Sequence, residues 1–288
     1  MAGADLTALR QLNDTKSARA IAKLGRDVFD ILAGMEVPTF AFINGTAIGG
    51  GLEIALAADY RTISEGVAAI SLPEAFLGLV PGWGGVHRLP RLIGPQNSVL
   101  VMIENALSNN KTLDGRTAFE LGIADTILEP TDFVAESLAW AARTILDEDA
   151  QRQCLQERRT QKATAEHADW DEALARGRRV VAIKTADAAP APMRLLDLLE
   201  RGETLTEPDS AELEIQALTE LIMTPQFKDS TYAFLDLIQR RSRKPFGAPK
   251  LGVVSPITKV GVIGAARTAV RLAADHGCWP GWPGPRPG

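Results

Sequence analysis

Three consecutive glycines, Gly49-Gly50-Gly51, sit between a short apolar run and a helical pattern, and they constrain this chain more than any other feature. The run before them, TFAFING, is continuous apolar sequence closed by Asn44-Gly45, which predicts a strand buried on both faces. The stretch after them, LEIALAADY, predicts a helix. Glycines at such a junction let backbone N–H groups face a ligand with no side chain in the way. A helix N-terminus adds about half a unit of positive charge. Strand, turn and helix together make a candidate anion or oxyanion site, with Glu53 inside the first helical turn. Glycine runs also simply permit close packing, and a first-turn acid often only answers the helix dipole. Spacing leaves both readings open.

The flanking segments repeat this alternation. Ala18 to Met35 predicts an amphipathic helix with Ile21, Leu24, Val28, Ile31 and Leu32 on its apolar face. YRTISE and AAISLPE predict short strands. LGLVPGWGGVHRLPRLIG predicts a glycine-rich turn and a short helix broken at Pro90, and TLDGRTAFELGIADTIL a helix, a stop at Gly122 and a strand. Strands alternating with helices imply an α/β class over residues 1–130. From 131 to about 250 the pattern is mostly helical, beginning at a cap on Thr131 or Asp132 with Phe133, Val134, Leu138 and Ile145 as apolar face. KTADAAPAPM and RGETLTEPDS predict loops. Residues 251–288 combine a Pro/Gly linker, the strand-like KVGVIGA and a tail in which eight of the last twelve residues are Gly or Pro, a composition that predicts disorder.

Composition excludes several classes. A net charge of −5 with no basic stripe gives no reason to expect nucleic acid. Cys154 and Cys278 stand far apart and His87, His167 and His276 share no metal-ligand spacing, so neither a disulfide framework nor a metal is expected. Isolated cysteines fit a reducing cytoplasm. No apolar stretch is long enough to span a membrane, and no signal peptide is expected.

A second acid stands out in SLPEAFLGLVPGWGG. Glu74 follows Pro73 among Ile70, Leu72, Phe76 and Leu77. A carboxyl buried there must be hydrogen-bonded, protonated or used, and burial raises its pKa toward the range of a general acid or base. The alternative is a surface loop glutamate. Gly82, Gly84 and Gly85 form a second turn that exposes backbone. Two acids and two glycine-rich turns suggest acid–base chemistry on a carbonyl compound, and periodicity goes no further.

INGTAIGGGLEIALAADYR, SLPEAFLGLVPGWGGVHRLPRLIG and AFELGIADTIL, in this order and spacing, resemble the enoyl-CoA hydratase/isomerase (crotonase) superfamily over residues 1–130. The resemblance implies a crotonase-like spiral ββα core lacking its first strands, followed by a helical region. It implies an oxyanion hole from the backbone N–H groups of Ala4, in the opening AGADL, and Gly50. It makes Glu53 and Glu74 the catalytic pair and puts Ala2, Asp5, Gly49, Gly82 and Trp83 at the substrate. Isomerase-type members often keep only the second acid, so the pair favours hydration of a trans-2-enoyl-CoA to a 3-hydroxyacyl-CoA. His87, where relatives often have glutamine, is read as a helix-surface residue.

LTELIMTPQFKDSTYAFLDLIQRRSRKPFGAP followed by ITKVGVIGA resembles the connector of the multifunctional fatty-acid-oxidation α subunit, where a dehydrogenase domain follows. The dinucleotide fingerprint that should begin at Gly264 is broken, with Ala266 and Ala269 at glycine positions, so NAD is not expected. Family domains carry about sixty residues before the AGAD match, which leads to the expectation of a fragment with a late start and a frameshifted end. The resemblance further implies an acyl-CoA thioester as substrate, no cofactor, a cytoplasmic location, and a homo-oligomer or a thiolase subunit as partner. Two other outcomes compete with an active hydratase: a catalytically impaired fragment, and an enoyl-CoA isomerase that needs one carboxylate only.

Overall fold

Parallel strands and the helices that leave their ends set the frame of the site. The computed structural model describes residues 3–146, 167–186 and 188–239. Two helices open the chain, α1 (Leu6–Arg10) and α2 (Thr15–Ala33), each capped by an aspartate, Asp5 and Asp14. Then β1 (Phe40–Ile43), β2 (Ala47–Ile48), α3 (Gly50–Ala57), β3 (Tyr60–Ser64), β4 (Ile70–Ser71), α4 (Glu74–Leu77) and α5 (Gly85–Val99) follow. A π-helical turn, Leu100–Asn105, extends α5 and leads to α6 (Gly115–Glu120), β5 (Thr126–Leu128) and α7 (Phe133–Leu146). The remaining helices are α8 (His167–Thr185), α9 (Pro190–Gly202), α10 (Glu207–Ile222) and α11 (Pro225–Tyr232), the last extended by a π-helical Ala233–Gln239.

All strand pairs among the described residues are parallel. One sheet runs β1-β3-β5, with Phe40 opposite Tyr60 and Thr62 opposite Thr126; the other pairs β2 with β4, Ile48 opposite Ser71. Because β2 and β4 point the same way, the chain segments leaving them emerge at one edge. The Gly49 N–H donates to the Ser71 carbonyl at 2.9 Å and closes that end. From there α3 carries Glu53 and α4 carries Glu74, so sheet direction alone brings the two acids to one place.

Several local expectations change. β1 is an edge strand and Phe40, Ala41 and Phe42 are only half-buried, because β3 covers one side of it and nothing described pairs with the other. The α2 face that turns inward is Ala18, Ala22, Arg26 and Phe29, while Leu24, Val28 and Ile31 are exposed. On this side of α2, Gly25 accepts the Trp83 ring and Arg26 meets Glu214 of α10. Likewise α7 turns Phe133, Ser137 and Ala141 inward and leaves Val134, Leu138 and Ile145 exposed. Ser137 Oγ hydrogen-bonds Thr62 Oγ1 at 2.7 Å, and Trp140 packs edge-on against Phe40 and Tyr60. The break in α5 falls at Gly94, whose φ of +79° suits glycine, and not at Pro90. The two segments expected as loops are mostly helix: Pro190 starts α9 and Glu207 starts α10, each with proline in the first turn.

Residues Met1–Arg241 form one compact unit. The helices from α8 to α11 continue the core laid down by the strands: Trp170, Leu195, Leu218 and Phe227 are buried in the same cluster as Leu52, Ile63 and Met102. KVGVIGA, with the broken fingerprint at Gly264, Ala266 and Ala269, and the Gly/Pro tail lie outside the described residues. Among the described residues no helix is long and apolar enough to cross a membrane, and no cluster of His, Cys, Asp and Glu could hold a metal ion.

Candidate active site

Glu53 lies one turn into α3, and its side chain points away from solvent, 2% exposed. Its Oε1 accepts two backbone N–H groups from the second glycine-rich turn, Trp83 at 2.8 Å and Gly85 at 3.0 Å. Glycine is needed at 85, because a Cβ there would sit 3.0 Å from that same Oε1 and 2.9 Å from Pro81 Cβ. Burial pushes the Glu53 carboxyl up to about 7, and the charge of Glu214 pushes the same way, against the two amides and Arg88.

Glu74 starts α4. Part of the residue reaches solvent, but its Oε2 is buried with no hydrogen-bond partner. Its Oε1 lies over Gly49, where a Cβ would come within 2.7 Å of it. Gly49 also has φ +58°, so both the space and the backbone call for glycine. Burial first, and the neighbouring Glu53 second, raise the Glu74 carboxyl well above its usual value. Both carboxyls therefore hold their protons more tightly than a free glutamate does, Glu53 up to about 7.

The glycine turn is crowded on two sides. A Cβ on Gly3 would fall 2.6 Å from Gly50 N, so the opening segment lies directly against that amide, and Ala4 packs beside it on the core. A Cβ on Gly50 would fall 2.6 Å from Trp83 Cζ3. The Trp83 ring thus rests on Gly50 and on Gly25 of α2, edge-on to Phe29 at 5.6 Å between centroids. Its Nε1 is buried without a partner. Gly50 N belongs to the first turn of α3, whose leading N–H groups have no intrahelical acceptor, and no side chain caps them.

Of the other residues expected at the substrate, Asp5 uses its carboxylate to cap α1, accepting from Thr7 N at 2.9 Å and Ala8 N at 3.2 Å. Gly82 is buried against α10, where a Cβ would come within 2.5 Å of Leu218 Cδ2. Ala2 lies outside the described residues. His87 corrects its sequence reading: it is buried, 6% exposed, with Nδ1 unpartnered. Burial, then Arg91, Arg26 and Arg88, lower its imidazole to about 3, so it is neutral at physiological pH. The sequence also gave no hint of Glu214 on α10. It is an unremarkable acid in an amphipathic helix, and only its burial beside Gly84 and His87 sets it apart.

Residues 1–169 match the family profile described as enoyl-CoA hydratase/isomerase. The chain belongs to the enoyl-CoA hydratase/isomerase family. Its similarity to the fatty acid oxidation complex subunit alpha of Idiomarina loihiensis runs at 33% identity over 270 residues, covering 91% of the chain and 36% of that protein. The chain therefore spans about a third of the length of that relative. Among the solved structures that share its fold are the two that follow. Human mitochondrial delta3-delta2-enoyl-CoA isomerase aligns at a TM-score of 0.56 with 18% identity, over 84% of this chain and 76% of its own. An enoyl-CoA hydratase from Rhodobacter sphaeroides 2.4.1 aligns at 0.56 with 19% identity, over 88% of this chain and 77% of its own. The family's crotonase fold accounts for the small parallel sheets and the helical C-terminal region.

The raised carboxyls have a consequence for stability in this family member. A group whose folded pKa lies above its unfolded value stabilises the fold fully below the unfolded value, and that contribution is lost as pH rises through the folded one. For Glu53 the window runs from about 4.5 to about 7. Urea unfolding should therefore show stability falling across this window. Glu53→Gln, which cannot ionise, should flatten the fall and leave the protein more stable than wild type by about 3 kcal/mol at about pH 8. An unchanged pH dependence in Glu53→Gln would show that Glu53 is not held in the neutral form.

Proposed function

We propose that this chain is an enoyl-CoA hydratase, adding water across the double bond of a trans-2-enoyl-CoA to give a 3-hydroxyacyl-CoA. One observation carries the reading: two buried carboxyls of different proton affinity meet at the common end of β2 and β4, beside the first turn of α3. In this reading the thioester carbonyl accepts from the Ala4 and Gly50 N–H groups, which stabilise the negative charge that builds on its oxygen. Such a donor is worth about 10²–10³ in rate. Ionised Glu53 takes a proton from water as its oxygen bonds to C3. Protonated Glu74 gives its proton to C2, and the C2–C3 π bond is consumed. One water is added, and the proton on Glu53 returns to Glu74 to reset the pair. In this reading Trp83 and the turn around Gly82 would line the acyl channel, with Gly49 beside Glu74. The chemistry calls for no cofactor, and the acyl-CoA is the substrate.

Purified protein should remove the ultraviolet absorbance of the conjugated thioester from a short trans-2-enoyl-CoA. The rate should rise with pH as Glu53 ionises near 7 and fall again at higher pH as Glu74 loses its proton. A rate that stays level across this range would remove the two acids from the mechanism. Double-bond migration without water addition would assign the chain to isomerisation instead.

A further inference from the structure

The turn that holds Glu53 is held from its other side by a second buried carboxylate. Trp83 N and Gly85 N donate to Glu53, while Gly84 N, between them, donates to Glu214 Oε2 at 2.7 Å. His87 N then donates to Glu214 Oε1 at 2.9 Å. Alternate amides can face opposite ways because Gly84 has φ +108°, a conformation that other residues rarely adopt. Glu214 comes from the middle of α10, and both it and its cation Arg26 on α2 are 1% exposed at the side chain, 3.1 Å apart. Arg26 is fixed in turn by Asp30, and Arg88 of α5 bridges Asp30 and Glu207. A helix interface of three elements thus ends on one carboxylate behind the turn. All of α10 lies beyond residues 1–169, the part that the family profile matches.

We propose that Glu214 is a positioning residue for the hydration site: by fixing the Gly84 and His87 amides it sets the turn whose Trp83 and Gly85 amides hold Glu53 in place. The proposal rests on reading Glu53 as the base of that reaction. A carboxylate that served stability alone would need only its arginine. This one gives both oxygens to the turn, and the Gly84 bond is shorter than the one to Arg26. Its charge also reaches Glu53, being the main influence after burial that raises that acid. The other charged groups around Glu53 are Glu74 of α4 and Arg88 of α5, with Arg26 of α2 behind Glu214.

The test uses the full chain labelled with carboxyl carbon-13 glutamate, with the Glu53 resonance assigned by its loss in Glu53→Gln. In Glu214→Gln the Glu53 titration should move to lower pH. The kcat for enoyl-CoA hydration should fall about 10–100-fold with KM little changed, as expected when a catalytic group is slightly misplaced. Glu212→Gln is the control: it removes the exposed Arg19–Glu212 pair across the same α2–α10 interface and should change neither readout. If Glu214→Gln does not fold, Arg26→Met/Glu214→Met removes both buried charges, leaves neither unpaired, and should give the same downward titration. An unchanged kcat in a folded variant lacking Glu214 overturns the proposal, whichever way the Glu53 titration moves, because losing the Glu214 charge lowers it and losing the Trp83 and Gly85 amides raises it. A wild-type chain without hydratase activity, whose Glu53 titration still falls in Glu214→Gln, would reject the hydratase reading and leave the hold of Glu214 on Glu53 standing.

Discussion

Glu74→Gln is expected to lower kcat for hydration of a short trans-2-enoyl-CoA by about 10²–10⁴, with KM little changed. Glutamine fills the same space over Gly49, so the substitution removes the proton and little else. In the proposed hydration that proton goes to C2, and burial and the adjacent Glu53 favour its retention on Glu74. Glu53→Gln should cost a similar factor for a different reason: it removes the proposed base toward water. The pair of variants also separates two reactions. Hydration needs both acids, whereas a double-bond shift needs a single carboxylate and should survive Glu53→Gln. Loss of thioester-conjugated absorbance, followed by mass analysis for added water, reads both. Hydration that persists in both variants would remove these acids from the mechanism.

Arg26→Met should destabilise the fold by about 3–5 kcal/mol, because it strands Glu214 as a buried charge without its cation. Burial opposes the charge on Arg26, yet Glu214, Asp30 and Glu207 together outweigh that cost and raise its pKa. The arms of this network are unequal. Asp30 and Glu207 are 40% and 45% exposed, so water screens them, while Glu214 is 1% exposed. The loss should therefore follow Glu214. Arg26→Met/Glu214→Met should recover most of it, since neither charge is then left alone. Urea unfolding monitored by circular dichroism gives both values. A loss below about 1 kcal/mol for Arg26→Met would mean that the pair behaves like an exposed ion pair.

Local pattern made a good part of the site legible. The apolar run before Gly49-Gly50-Gly51 marks a strand and the sequence after it a helix start, and the structure has β1 and α3 there, with β2 an added two-residue strand inside the segment read as a turn. A lone acid after Pro73 among Ile70, Leu72 and Leu77 marks a carboxyl with an unusual proton affinity, and Glu74 has one. Both signals lie within a few residues of the group concerned. Periodicity failed where a helix face was chosen by its neighbour. Leu24, Val28 and Ile31 of α2 face outward, while Gly25 admits the Trp83 ring and Arg26 meets Glu214 of α10. His87 was misread for the same reason: one turn of sequence cannot show that Arg26, Arg88 and Arg91 converge on it in a buried place.

The sequence by itself determined the α/β alternation, the two glycine-rich turns, the two acids and, through the order and spacing of those motifs, the family. These are properties of short segments, where residue type dictates backbone conformation. Tertiary structure alone decided what each acid can do. Parallel pairing of β2 with β4 brings Glu53 and Glu74 to one edge, although 21 positions separate their numbers. Packing of α10 across α2 and α5 brings Glu214 to Gly84 across 130 positions of chain. A carboxyl's proton affinity depends on how much water and charge surround it, and both are set by chain segments remote in sequence.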